Sequence, residues 1–206
     1  MIYPIIKRTF DLAVSLVGLV VLSPIFLVIA VAIKLDSKGP VFFKQERLGL
    51  NAEPFVIYKF RSMVLGAEKG GVYEAENDPR VTRVGRLLRR TSLNELPQFV
   101  NIIRGDMSLI GPRPVLPFHP WPLEQYTEEQ KQRFGVRPGV TGWAQVSGRK
   151  NLMWDRRIEY DLEYINNLSF GLDLKIFLKS IVKVFSMTDS YNVGETVPKK
   201  PATPDK

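Results

Sequence analysis

The segment best equipped for chemistry runs Arg89-Arg90-Thr91-Ser92-Leu93-Asn94-Glu95-Leu96-Pro97-Gln98. Two helix starts compete within it. Ser92 with Glu95 matches a capping box, which would make Glu95 structural. In that register Pro97 falls at the fifth helical position and deletes a hydrogen bond. With Asn94 as N-cap, Pro97 falls at N3, where a missing N–H costs nothing. The Asn94 start is preferred, with a helix to about Arg104 and Gly105 as its stop. Asn94 and Glu95 then sit at a helix N-terminus, where partial positive charge and free N–H groups attract phosphate. Arg89 and Arg90 arrive immediately before it.

Other segments supply cations on stiff backbone. Gly111-Pro112-Arg113-Pro114 holds one arginine between two prolines. Arg137-Pro138-Gly139-Val140-Thr141-Gly142 leads into Gln145-Val146-Ser147-Gly148-Arg149. Arginine suits bidentate phosphate recognition, although glycine and proline also mark ordinary turns. On a strand expected from Phe55 to Phe60, alternation puts Phe55, Ile57, Lys59 and Arg61 on one face. That face is either a solvated edge or a further source of cations. Lys59 or Arg61 with Arg89, Arg113 and a helix N-terminus, if these converge, suits a diphosphate.

Composition narrows the chemistry. The chain has 206 residues, 29 basic and 21 acidic, a net charge of +8, no cysteine and one histidine, His119. Disulfides, thiolate nucleophiles, cysteine-ligated metals and histidine-cluster metals are excluded. Any metal must be held by oxygen, which favours Mg²⁺. The basic balance points to phosphates, nucleic acid or an anionic membrane. Because the cations lie in proline–glycine loops without interleaved stacking aromatics, nucleic acid is not expected.

The elements that must position these residues begin with Leu12–Ile33, 22 residues without a charge. Ser23-Pro24 breaks this run, leaving arms of about 11 residues that reach only about 17 Å each. Basic residues flank both ends: Lys7 and Arg8 before, Lys34, Lys38, Lys44 and Arg47 after. A helix–break–helix entering and leaving a membrane by one face satisfies both observations. Val41–Gln45 and Phe55–Phe60 read as a hairpin around Gly49-Leu50-Asn51. Arg80, Arg83, Arg86 and Arg89 recur at helical spacing. Thr127 with Gln130 forms a capping box, and Trp154, Ile158, Leu162 and Ile165 a core-facing stripe. The last helix, about Asp173 to Phe185, lines up Lys175, Lys179 and Lys183 beside an apolar remainder, as an interfacial helix does. The expectation is an α+β protein. It comprises a membrane segment at 1–38, one compact domain at 39–190 and a flexible tail at 191–206.

With these motifs in order, the chain resembles the bacterial sugar transferase family, the monotopic phosphoglycosyl transferases. The likeness rests on Lys44-Gln45-Glu46-Arg47, Tyr58-Lys59-Phe60-Arg61-Ser62-Met63 and the Thr91–Gln98 segment. Arg104-Gly105-Asp106-Met107-Ser108, Gly111–Pro114, Arg137-Pro138-Gly139 to Gly148-Arg149 and Asp173-Leu174-Lys175 complete it. The resemblance implies transfer of a sugar-1-phosphate from a UDP-sugar to polyprenyl phosphate, initiating surface-glycan or glycoprotein-glycan assembly. It implies Mg²⁺, a re-entrant helix broken at Ser23-Pro24, and placement at the bacterial inner membrane with the catalytic domain on the cytoplasmic face. It also implies ping-pong chemistry through an acyl phosphate on an aspartate. The substrate-binding positions would be Lys59, Arg61, Arg89, Arg90, Arg113, Arg137, Arg149 and Asp173, with Glu95 a metal ligand or proton-transfer group. A homo-oligomer stays open. One residue departs: the family pattern has Asp-Glu where this chain has Asn94-Glu95. An amide caps a helix and ligates Mg²⁺ weakly, but it is a very poor nucleophile. The form with Asn94 is therefore expected to be inactive, as an introduced substitution or as a natural silent relative that binds sugar nucleotides.

Overall fold

The computed structural model describes residues 3–71, 78–147 and 153–186. Arg149 and the expected tail at 191–206 lie outside them.

Two helices open the chain, α1 (Tyr3–Val21) and α2 (Ser23–Asp36), bent by 62° at Leu22. Pro24 stands in the first turn of α2, where its missing N–H is harmless, and Ser23 Oγ donates back to Val20 O at 2.8 Å. The break falls at the expected place. Among the described residues no single helix is long and apolar enough to cross a membrane, but the bent pair together meets that length and composition.

The packing of α1 is inverted. Its buried residues are Asp11 and Ser15, whereas Ile5, Phe10, Val17 and Val20 are more than half exposed. Asp11 accepts from Ser108 Oγ at 2.6 Å and from Leu109 N at 3.1 Å. The polar stripe of this helix thus joins the domain, and its apolar face points away.

Next come β1 (Phe42–Leu48) and β2 (Pro54–Phe60), an antiparallel hairpin in the expected place, with Phe42 opposite Phe60. Arg61 does not join Lys59 in offering charge. It is buried, and its guanidinium donates to the carbonyls of Ser37 (2.8 Å) and Lys38, tying the end of α2 to the hairpin. Phe60 packs with Ile29 and Ile33 of α2. Helix α3 (Arg83–Arg90) starts at Thr82, whose hydroxyl accepts from Gly85 N at 3.0 Å. Arg80 precedes that helix, so the arginine repeat spans two structures. The Arg80 side chain pins a turn through Asp78 and the carbonyls of Ala67 and Gly71.

Neither expected helix start holds at Ser92 or Asn94. Ser92 takes a left-handed conformation (φ 57°), Leu93–Glu95 form one 3₁₀ turn, and α4 (Gln98–Arg104) begins after Pro97. The ring of Pro97 holds its own φ at the helical value (−60°) directly before α4, and this overrides both side-chain caps. The stop is as expected: Gly105, at φ 97°, closes α4.

A second sheet was not foreseen. Strands β3 (Ser108–Ile110) and β4 (Gly139–Thr141) pair in parallel, bringing the two proline–glycine loops together. A Cβ on Gly139 would collide with the backbone of Gly111, so the glycines here permit backbone-on-backbone packing. Helices α5 (Glu128–Lys131, with the expected capping box), α6 (Trp143–Ser147), α7 (Trp154–Asn166) and α8 (Phe170–Ser186) complete an α+β protein. Ile158 of α7 lies in a core cluster with Trp121, Tyr126 and Phe134. On α8 the exposed Lys175 and Lys179 stand over the Trp143 ring, and Lys183 reaches Gln145 O. Leu174, Leu178 and Val182 face out, each about half exposed or more.

Candidate active site

A cleft of about 1270 Å³ is lined by Lys59, Arg89, Arg90, Ser92, Asn94, Glu95 and Arg113, together with Arg47. These residues arrive on several different supports. Lys59 comes from the end of β2, Arg89 and Arg90 from the last turn of α3, Asn94 and Glu95 from the 3₁₀ turn, and Arg113 from the loop after β3. The left-handed Ser92 reverses the chain between α3 and this turn, a strained backbone placed where a side chain must be aimed.

At the centre Glu95 Oε1 accepts from Lys59 Nζ at 2.9 Å and lies 3.5 Å from Arg113 Nη2. Lys59 and Glu95 are mostly buried, while Arg113 is 41% exposed. Burial alone would raise the Glu95 carboxyl, but Lys59 and then Arg113 outweigh it and hold the pKa at about 2. Burial pulls the Lys59 ammonium down to about 8; Glu95 opposes this, and Arg113 and Arg47 add to it. Arg47 is itself lowered to about 10, by burial and then by Arg113. One carboxylate therefore faces three cations. The surplus positive charge in a half-closed site is suited to an anion carrying more than one negative charge.

Among the described residues no three metal-ligating side chains gather. One Glu95 oxygen is already shared by two cations. The oxygens of Glu95 and Asn94 thus fit a Mg²⁺ that arrives on a ligand's phosphates better than an ion held by protein alone.

Two expected site residues stand elsewhere. Arg137 is exposed, and its Nε donates to Gly105 O at 2.8 Å, capping the end of α4. Asp173 is buried in the first turn of α8, accepting from Lys7 Nζ at 2.8 Å, Tyr164 Oη at 2.8 Å and Tyr3 Oη. It fastens the start of α1 to α7 and α8 and lines no part of the cleft. Arg61 lines the cleft with a guanidinium already engaged. Arg47 was visible only as a basic flank of the apolar segment and as part of a motif. Its arginine type in a strand of alternating burial was the one signal that could have singled it out.

The family follows from comparison. A family model described as "Bacterial sugar transferase" matches residues 2–187, and the chain belongs to that family. It is 44% identical to the uncharacterized sugar transferase EpsL of Bacillus subtilis, with 87% of each chain covered. It is 42% identical to the UDP-glucose:undecaprenyl-phosphate glucose-1-phosphate transferase of Escherichia coli, over 91% of this chain and 42% of that one. It is 45% identical to the UDP-N-acetylgalactosamine-undecaprenyl-phosphate N-acetylgalactosaminephosphotransferase of Aeromonas hydrophila, over 87% of this chain and 44% of that one. The chain thus spans less than half the length of the last two relatives.

Proposed function

We propose that the cleft binds a UDP-sugar and a polyprenyl phosphate, and that its architecture serves transfer of a sugar-1-phosphate from the first to the second. The observation that carries this reading is the Lys59–Glu95–Arg113 cluster beside position 94. It is an over-cationic pocket built for phosphates, in a chain whose relatives are named for this transfer. Arg113, with Arg89 and Arg90, grips the diphosphate, and Lys59 stabilises charge on the transferred phosphoryl group. Glu95 keeps the two cations at a fixed separation and, with the residue at 94, offers oxygens to Mg²⁺. That ion would screen the diphosphate.

Position 94 is the nucleophile position. With aspartate there, a carboxylate oxygen attacks the β-phosphorus and the bond to the bridging oxygen breaks. UMP leaves and an acyl phosphate remains. The polyprenyl phosphate oxygen then attacks the same phosphorus and restores the carboxylate. Asn94 lacks the charge for the first step. The chain as it stands binds substrate without turning it over, which is also what a silent adaptor would do.

The inverted packing of α1 and the outward apolar face of α8 support seating on a bilayer surface. The bent pair α1–α2 would enter and return by the inner-membrane face that carries the cleft, in the cytoplasm. The deciding experiment is Asn94→Asp, assayed for UMP release across a panel of UDP-sugars with Mg²⁺ and undecaprenyl phosphate. Release should rise from background to at least about 10³-fold above it, the scale expected when a covalent nucleophile is restored. An Asp variant that binds UDP-sugars yet releases no UMP favours the adaptor.

A further inference from the structure

The loop that carries Arg113 is short of donors. Pro112 and Pro114 have no N–H, so its carbonyls must be satisfied from outside. Four successive carbonyls are. Pro112 O accepts from Gly139 N at 2.9 Å, and Arg113 O from Arg133 Nη2 at 3.0 Å. Pro114 O accepts from Arg47 Nη1 at 3.3 Å, and Val115 O from Leu48 N at 2.9 Å. The donors belong to β4, to the turn after α5 and to β1. The backbone is clamped from three sides while the Arg113 guanidinium stays open to the cleft.

Arg133 stands out among these donors. It is 3% exposed, and Asp161 Oδ2 of α7, 2% exposed, holds it through Nε at 3.1 Å and Nη2 at 2.7 Å. Desolvating two charges opposes folding, and an apolar pair of similar volume would fill the space without that opposition. What the ion pair adds is a donor locked beneath the backbone of Arg113.

We propose that Arg133, fixed by Asp161, is a positioning residue for Arg113, setting where its guanidinium meets Glu95 and the diphosphate of the ligand. The assignment deepens the functional reading above and rests on it for the identity of the ligand.

The test replaces the pair as a unit, Arg133→Met with Asp161→Leu, so that neither charge is left alone. UDP binding to the full chain in detergent is measured by calorimetry for four proteins: the parent, Arg113→Ala, the pair variant and the combination. The pair variant should melt as the parent does and bind UDP about tenfold more weakly. Arg113→Ala should then cost about tenfold less in its background than alone. Additive losses would overturn the proposal. Hydrogen exchange at the Leu48 and Gly139 amides, read without ligand, should quicken about tenfold in the pair variant as the loop loosens. Unchanged exchange overturns the proposal even if UDP binds to none of the four, a result that would instead count against the functional reading. Should the pair variant not fold, Arg133→Lys enters the same cycle, because an ammonium cannot reproduce the two-armed geometry.

Discussion

Glu95 and Asp173 are both carboxylates largely withdrawn from water, and each meets a lysine, at 2.9 and 2.8 Å. Their surroundings differ in charge balance. Asp173 has one cation and two phenol hydroxyls, so its cluster sums to zero with its hydrogen bonds made within the protein. Glu95 has Lys59 and Arg113, with Arg47 near enough to depress Lys59. A balanced cluster behaves as a joint; a cluster with positive charge left over is finished only by an anion. Burial alone does not separate the two.

The largest expected effect comes from breaking the joint. Asp173→Asn leaves Lys7 without its counter-charge and should lower stability by about 3 kcal/mol, read by chemical denaturation in detergent. UDP affinity should be unchanged, and a parallel loss of affinity would erase the distinction between the clusters. A middle-sized effect is in pH. Because Lys59 titrates near about 8, UDP affinity should weaken by up to about tenfold per unit as pH rises above that value. Stability moves the other way there. Between about 8 and the ordinary 10.5 the unfolded chain holds a proton that the folded chain has lost, so folding gains as pH rises. At the acid end the Glu95 carboxyl is also lowered, but for an acid that means folding favours the charged form. Its contribution is complete above 4.5 and is lost as pH falls towards about 2. The smallest effect is at Arg137: Arg137→Ala should change UDP affinity by less than about twofold, since its guanidinium caps α4 outside the cleft.

The sequence was most legible where local rules act alone. The break at Ser23-Pro24, the hairpin, the capping box at Thr127 and the Gly105 stop each depend on a few neighbouring residues, and each stands where it was expected. The β3–β4 pair was hidden because strands of three residues show no periodicity, and their partners lie about thirty positions apart. The same holds for the arginines. Residue type marked Arg61, Arg113 and Arg137 alike, but their fates depend on partners far along the chain, 23 positions away for Arg61 and 32 for Arg137: carbonyls for these two, the Lys59–Glu95 pair for Arg113. On α8 the lysine spacing was legible, but the contact that two of these exposed lysines make with the Trp143 ring was not, because Trp143 lies more than thirty positions away.

The Asp11 contact with Ser108 and Leu109 spans 97 and 98 positions of chain, from a helix whose outer face is apolar to the start of β3. In the proposed setting α1 is made before β3 and settles in lipid, with its carboxylate waiting for a strand not yet made. The N-terminal helix is then less a tether than one wall of the house. A version trimmed of it for solubility would open β3, and with it the base of the Arg113 loop, to water.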